Sequence, residues 1–562
     1  MTDLPTTPSR YRLPQTCSPD RQRARRATLQ LQRTRYLPTT DDGPGHPAEG
    51  FRLPVAAASL PPGESFSAEK TVRLLGHKTV LRLATPLVKA RVPEQPASVR
   101  QYDRLLGWLR RPRAATHWRS DAEFARQRLT GTNPMSLRRC ETLPAEELAR
   151  AADRVLRERH RTRLQAALDT GHLFLSEYHE LLDERIQKQV APGATLAAAT
   201  CLFLREPHGG LAPLAIQLRL AGAAAPAVLT PLDPPALWLL ARCHAQSADA
   251  HYHEAVFHLL ETHMVSEVFA LCSARQLHPD HPLQQLLAPH FEGTLAINHL
   301  ARSDLLSPGG PIDTVLAAGV GGTMDLARLA WSRWSFRRRS FEADLVERGV
   351  AAPDTLPELL YRDDASAIRT LLHRYVSRVL GAWYRSDDDV RADYELRAWL
   401  EELAQFVPDI PPDIDDVAKL VQFVTDVVFR ASAQHSAVNN GQFASYGFVP
   451  NAPGAVFARP LCPDDAPNFD ERDVLCALSN RDRGLAQLGM AWVLSEPTHR
   501  SLLTAGESPA FSRELCPAAH DAVQALRRDL LELSDAVAAR NRNLAVPYSD
   551  LSPHRVARST NV

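Results

Sequence analysis

The chain predicts a mainly α fold, a large helical domain with a small β-rich subregion. Three observations carry that expectation. Apolar residues recur at helical spacing in long segments after about residue 235. Short β-leaning runs broken by Pro and Gly are confined to residues 171–221. The 562 residues are 44% hydrophobic and 23% charged, enough to bury a large core.

Residues 1–20, rich in Pro, Thr and Arg and without periodicity, predict a disordered arm, and 21–562 read as one domain. "RQRARRATLQLQRTRY" (21–36) predicts a basic helix, first a solvated face and only second a weak contact with a membrane surface. "HLFLSEYHELL", "LAAATCLFLRE" and "LAPLAIQLRL" supply the small sheet within 171–221. Helical spacing then runs from Trp238 to about Arg302 and through 325–346, 365–385, 390–406, 415–440 and 519–541. The Pro-rich stretches 408–416 and 449–469 interrupt this pattern without marking a domain boundary. "GVGGTMD" (319–325) reads as a loop before a helix, since no strand leads into it as a phosphate cradle requires.

Composition removes several function classes. Lys plus Arg and Asp plus Glu both number 65, so no net charge draws the chain to nucleic acid, and the Arg-rich stretch 104–119 reads as a solvated face. No run approaches ~18 consecutive apolar residues, and the N-terminus lacks the apolar core of a signal peptide; the expectation is a cytoplasmic protein. Eight cysteines with no CxxC pair speak against a zinc ribbon or disulfide scaffold and predict buried, reduced thiols.

The chemistry gathers in "HYHEAVFHLLETH" (251–263). His253, His258 and His263 stand five residues apart, and His281 and His290 follow in the same apolar, helix-forming window. Neutral imidazoles clustered in this way suit a divalent transition metal. The interval excludes the zinc-protease motif H-E-x-x-H, because "HEAVFH" has one residue too many. A step of five is accommodated if the helix opens into a π turn, whose i→i+5 bonding brings such residues to one face. Downstream, "ASAQHSAVNNGQ" (431–442) places His435 and Asn439 four apart, on one helix face. Asn is a weak neutral ligand, suited to a redox metal that keeps a labile position.

With these motifs the sequence resembles the lipoxygenase family. The five-histidine spacing is flanked by "WLLARCHAQSADAHYHE" (238–254), "HPLQQLLAPHFEGTLAINHLAR" (281–302), "YRDDA" (361–365), "SAQHSAVNNGQ" (432–442) and "PNAP" (450–453), with "GTNPMSLRRC" (131–140) and "PLAIQL" (213–218) upstream. The resemblance implies one non-haem iron, cycling between Fe2+ and Fe3+, on His258, His263, His435, Asn439 and the α-carboxylate of Val562, which stands where the family usually has isoleucine. It implies outer roles for Glu254, Gln442, His253, His281 and His290, with Glu254 and Gln442 linking the substrate cavity to the ligands by hydrogen bonds. If 290–306 is one helix, Thr294, Ile297, Ala301 and Leu305 share a stripe; the resemblance places Ile297, Ala301 and Leu305, with Leu259, along a fatty-acid channel.

The activity so implied is dioxygenation of polyunsaturated fatty acids, with O2 as co-substrate, by a monomeric enzyme. An iron-bound hydroxide, the only catalytic group implied, takes a hydrogen atom from a cis,cis-1,4-pentadiene, and O2 adds to give a hydroperoxide. Ala at position 301 implies S stereochemistry, since the family commonly has Gly there in R-specific members. The alternatives are a hydroperoxide isomerase or epoxyalcohol synthase on the same iron, and a non-catalytic lipid-binding relative. The early start of the resemblance implies a compact, bacterial-type form without an N-terminal β-sandwich.

Overall fold

The computed structural model describes residues 10–40, 43–46, 50–462, 468–495 and 500–561. Its axis is a continuous 42-residue helix, Pro235–Gln276. Pro235 occupies the first helical position, where no amide hydrogen is needed, and the helix ends where Leu277 turns extended ahead of "HPDHP". The helix is long and apolar enough to cross a membrane by composition, but 94% of its apolar window is buried within the protein. An all-round apolar helix of this kind is a core element.

A second buried helix lies across it, built from Val417–Phe429, Arg430–Gln434 and His435–Asn439, and its first turn is capped by the Asp416 side chain accepting from the Lys419 amide. Around these two pack Pro282–Phe291, Thr294–Ser303, Gly319–Trp331, Leu360–Leu380 and Pro517–Asn541, all joined in one extended core. The stretch 290–306 is therefore not one helix. Gly293, at φ +72°, breaks it in a left-handed conformation that other residues adopt at a cost.

The expected small sheet is antiparallel and five-stranded, in the order Arg138–Arg139, Leu173–Glu177, Ala198–Arg205, Leu211–Arg219, Ala227–Leu229, so its two edge strands lie outside 171–221. Pro38–Thr40 pairs with Val55–Ala57 in a separate ribbon; these strands are too short to leave a pattern in the sequence. Pro213 sits within a central strand because the register shifts there, pairing Leu202 with Ala215 and Phe203 with Pro213; a bulge is where a strand tolerates a missing amide hydrogen. One face of the sheet packs against the start of the central helix.

Three local expectations change. Residues 1–9 and 562 lie outside the described residues, but within the stretch expected to be a disordered arm Tyr11, Leu13 and Cys17 are buried, and a helix begins at Pro19. "GVGGTMD" is itself the start of the helix Gly319–Trp331; a Cβ at Gly321 would collide with Gln189 and one at Gly322 with Ala318 of the preceding turn, so the glycines permit close packing. All eight cysteines are free, but Cys476 is exposed and Cys462 and Cys516 are only half-buried.

Candidate metal centre

The winding of the central helix changes where the histidines lie. Pro235–Tyr252 and Val265–Gln276 are α-helical, whereas His253–Met264 between them is π-helical. The i→i+5 bonding stacks residues five apart. His258 accordingly lies 5.7 Å from the His253 ring and 5.0 Å from the His263 ring, centroid to centroid. The second helix uses the same device, since Arg430–Gln434 is π-helical immediately before His435. His435 comes within 5.6 Å of His258 and 4.8 Å of His263, again between ring centroids. One ring nitrogen from each of the three lies within 4.8 Å of the others, and all three residues are buried.

Hydrogen bonds fix which nitrogens face the cluster. Asn298 donates from Nδ2 to the His263 carbonyl (2.9 Å) and to Glu267 Oε2 (2.8 Å), both obligatory acceptors. Its Oδ1 must then face His263 Nδ1, at 2.9 Å, so Nδ1 carries the proton and Nε2 keeps its lone pair. His258 Nδ1 likewise donates to Glu254 Oε2 at 3.2 Å, and its Nε2 is buried with no hydrogen-bond partner. Burial, helped by the neighbouring His258, pushes His263 down to about 3, and burial, helped by His263 and then His258, holds His435 well below its ordinary value. Burial opposes ionisation of Glu254, but the adjacent His253 and His258 outweigh it and hold the carboxyl below the usual carboxylate range. His263 is thus held as a neutral imidazole with its tautomer set from behind, the ligand form of histidine, and the orphaned Nε2 of His258 is a buried polar atom in want of a partner. The donor set fits a divalent transition metal.

Asn439, one turn beyond His435, is buried; its Nδ2 donates to the Leu494 carbonyl at 2.9 Å and its Oδ1 accepts from Gln442 Nε2 at 3.1 Å. Glu254 reaches His258 and Gln442 reaches Asn439, but among the described residues no bond joins Glu254 to Gln442; Gln442 Oε1 has no hydrogen-bond partner. His253 sits behind His258 with its Nε2 donating to the Val438 carbonyl at 2.7 Å, linking the two helices. His281 and His290 have other tasks. His281 caps the helix Pro282–Phe291 by accepting from the Leu283 amide, with its Nε2 on Asp393 at 2.9 Å. His290 Nδ1 donates to the Arg558 carbonyl at 2.8 Å and so anchors the C-terminal segment.

That segment runs into the core beside the cluster. The Ala557 amide donates to Ser436 Oγ, one residue from His435, and Thr560 is buried with its hydroxyl 2.9 Å from that of Thr294. A Cβ at Gly293 would lie 3.0 Å from Asn561 Cβ, so the glycine also makes room for the tail. Val562 lies outside the described residues.

An apolar cavity of about 480 Å3 opens onto the cluster, and His258 and His263 form part of its wall. This is the scale of a site for a small lipid-like ligand.

Comparison with known proteins agrees with this architecture: a family model for lipoxygenase matches residues 108–547. The chain belongs to the lipoxygenase family. The polyunsaturated fatty acid lipoxygenase ALOX15B of Rattus norvegicus is 34% identical over 480 residues, covering 83% of this chain and 69% of the relative. The ALOX15 enzyme of Mus musculus is 32% identical over 455 residues, covering 80% and 67%. A solved calcium-dependent 11R-lipoxygenase superimposes with TM-score 0.86 at 27% identity, covering 98% of this chain and 82% of that one.

In this lipoxygenase Leu259, Ile297, Ala301 and Leu305 all line the cavity, whereas Thr294 is turned toward Thr560. Leu305 reaches it from just beyond the end of the helix Thr294–Ser303. Sequence reasoning missed Asn298, the polar residue inside the same stripe, and the π turn ahead of His435. It also missed the helix Ala68–Lys89, whose Leu74 and Leu81 roof the cavity. The signal for Asn298 was present: an amide one turn before a channel residue, on a helix facing the histidines.

Proposed function

We propose that the enzyme inserts O2 into polyunsaturated fatty acids containing a cis,cis-1,4-pentadiene, giving S-hydroperoxides. The observation that carries this reading is the placement of His258 and His263 in the wall of an apolar cavity, with His435 beside them. His258, His263, His435 and Asn439 would hold a single iron, with the α-carboxylate of Val562 as the fifth ligand; the tail's course past Ser436 and Thr294 supports that last assignment. Iron bound there supplies the one-electron oxidation that removes a hydrogen atom from the doubly allylic methylene.

The protein's own residues do the rest. Leu259, Ile297 and Leu305 pack the acyl chain, and an apolar wall excludes water from the radical. Glu254 and Asn298 hold the Nδ1 protons of His258 and His263, so both Nε2 lone pairs would be free for the metal. The Ala301 methyl narrows the oxygen path on one side, which favours the S product.

The test is oxygen uptake and conjugated-diene absorbance followed together on linoleate and arachidonate with iron-loaded protein. The two signals should rise in step, and Ala301→Gly should shift the product from S toward R. Turnover of a preformed hydroperoxide without diene formation from the fatty acid would instead assign an isomerase.

A further inference from the structure

The helix Ala68–Lys89 shows a second apolar face that nothing in the described protein covers. Of the twelve large apolar residues exposed among the described residues, five lie on it: Val72, Leu75, Val80, Leu83 and Leu87. Val72, Leu83 and Leu87 are each more exposed than 60%, at 68%, 69% and 63%. At ~100° per residue these five fall within a sector roughly 140° wide, facing away from Leu74 and Leu81 on the cavity side. Exposed Trp108 lies nearby, since Trp492 packs edge-on against both it and His77 of the helix.

Charge borders the stripe on both sides. Lys78, Arg82 and Lys89 follow one edge and Lys70 and Arg73 the other, against the single acid Glu69 in the first turn. Lys78 pairs with Asp304 at 2.5 Å and Lys89 with Asp482 at 3.1 Å, seating the helix on the cavity rim. An apolar stripe between two rows of cations is the signature of a helix that lies in a lipid interface, with its apolar residues among the acyl chains and its cations at anionic headgroups. A second copy of the chain fits poorly, because a two-fold contact would set the two cationic rows against each other.

We propose that this helix docks the enzyme on an anionic phospholipid surface. The sequence's candidate for membrane contact, the basic helix Pro19–Arg35, is less suited: it turns Leu29 and Arg25 inward, Arg25 onto Glu395 at 2.7 Å. Docking through Ala68–Lys89 sets the cavity rim against the bilayer, a consequence for substrate entry that rests on the function proposed above; the docking itself does not.

Cosedimentation of the full protein with phosphatidylcholine vesicles, with and without phosphatidylglycerol, reads binding without turnover. Binding should require the anionic lipid and weaken as salt rises. The triple variant Leu75→Gln, Leu83→Gln, Leu87→Gln should lose at least about tenfold in binding, with its thermal midpoint and its oxidation of dispersed fatty acid unchanged. Leu515→Gln, an exposed leucine elsewhere, should bind as the parent. Equal binding by the triple variant, or no salt-sensitive binding by the parent, overturns the proposal. So does a parent dimer that the triple variant dissociates, which would assign the stripe to a contact between copies.

Discussion

Asn298 donates to two fixed acceptors and turns its own oxygen to His263, which makes a neutral amide the residue that selects a histidine tautomer. Glu267 holds the amide in turn, and Arg302 holds Glu267. Removing the amide oxygen frees the His263 ring to rotate or to shift its proton. Asn298→Leu should therefore weaken iron binding or turnover by roughly 10- to 100-fold, the range for losing an outer partner of a metal ligand. Iron affinity by competition with a chelator checks this, and an unchanged affinity with unchanged kcat would remove Asn298 from the account. At this scale the sequence was informative where spacing carried the message. The two steps of five from His253 through His258 to His263 implied a π turn, and His435 with Asn439 implied a second donor pair. It was silent where a role depends on a distant partner: nothing adjacent to Asn298 in sequence shows that it meets a residue 35 positions earlier.

At the scale of elements, two helices change winding at the point where each brings histidine to the cluster, and a third segment, the C-terminal tail, runs past Ser436 of the second helix and past Gly293. The π turn on the central helix was legible, because an α-helix cannot place residues five apart on one face. The one ahead of His435 was not, because a single histidine there sets no interval. The break at Gly293 was also readable in "FEGT" but yielded to apolar periodicity, which continues across it. The tail offers a direct test. Appending residues after Val562 should abolish iron retention while leaving the thermal midpoint of the iron-free protein within a few degrees of the parent. Full activity with an extended C-terminus would sink the carboxylate assignment.

The whole molecule is a large buried core into which polar groups have been set, and that has a cost in acid. His251 donates from Nδ1 to the Ser247 carbonyl at 2.7 Å and accepts at Nε2 from the Ala318 amide at 3.1 Å. It has no place for a second proton, and burial pushes it down to about 4; His290 is pushed down to about 4 by burial as well. The unfolded chain takes up these protons below its ordinary value of about 6.5. The stability each neutral ring contributes is thus complete above about pH 6.5 and is lost as pH falls toward 4, at roughly 1.4 kcal/mol per pH unit for each group. The thermal midpoint should fall steeply over that window, and His251→Gln should flatten the fall. A midpoint constant from pH 7 to 4.5 would contradict it. The mainly α class and the small sheet were legible at this scale because periodicity and β-leaning runs are local; the cavity roof was not, since Ala68–Lys89 carries apolar residues on two faces and only the fold shows which one looks inward. The central claim is that the cluster at the cavity wall is one iron site that carries turnover. It is tested most directly by measuring bound iron per chain and oxygen uptake together in the parent and in His258→Ala, His263→Ala and His435→Ala. The account predicts about one iron per parent chain, with iron and oxygen uptake lost together in each variant; variants that keep both would contradict it.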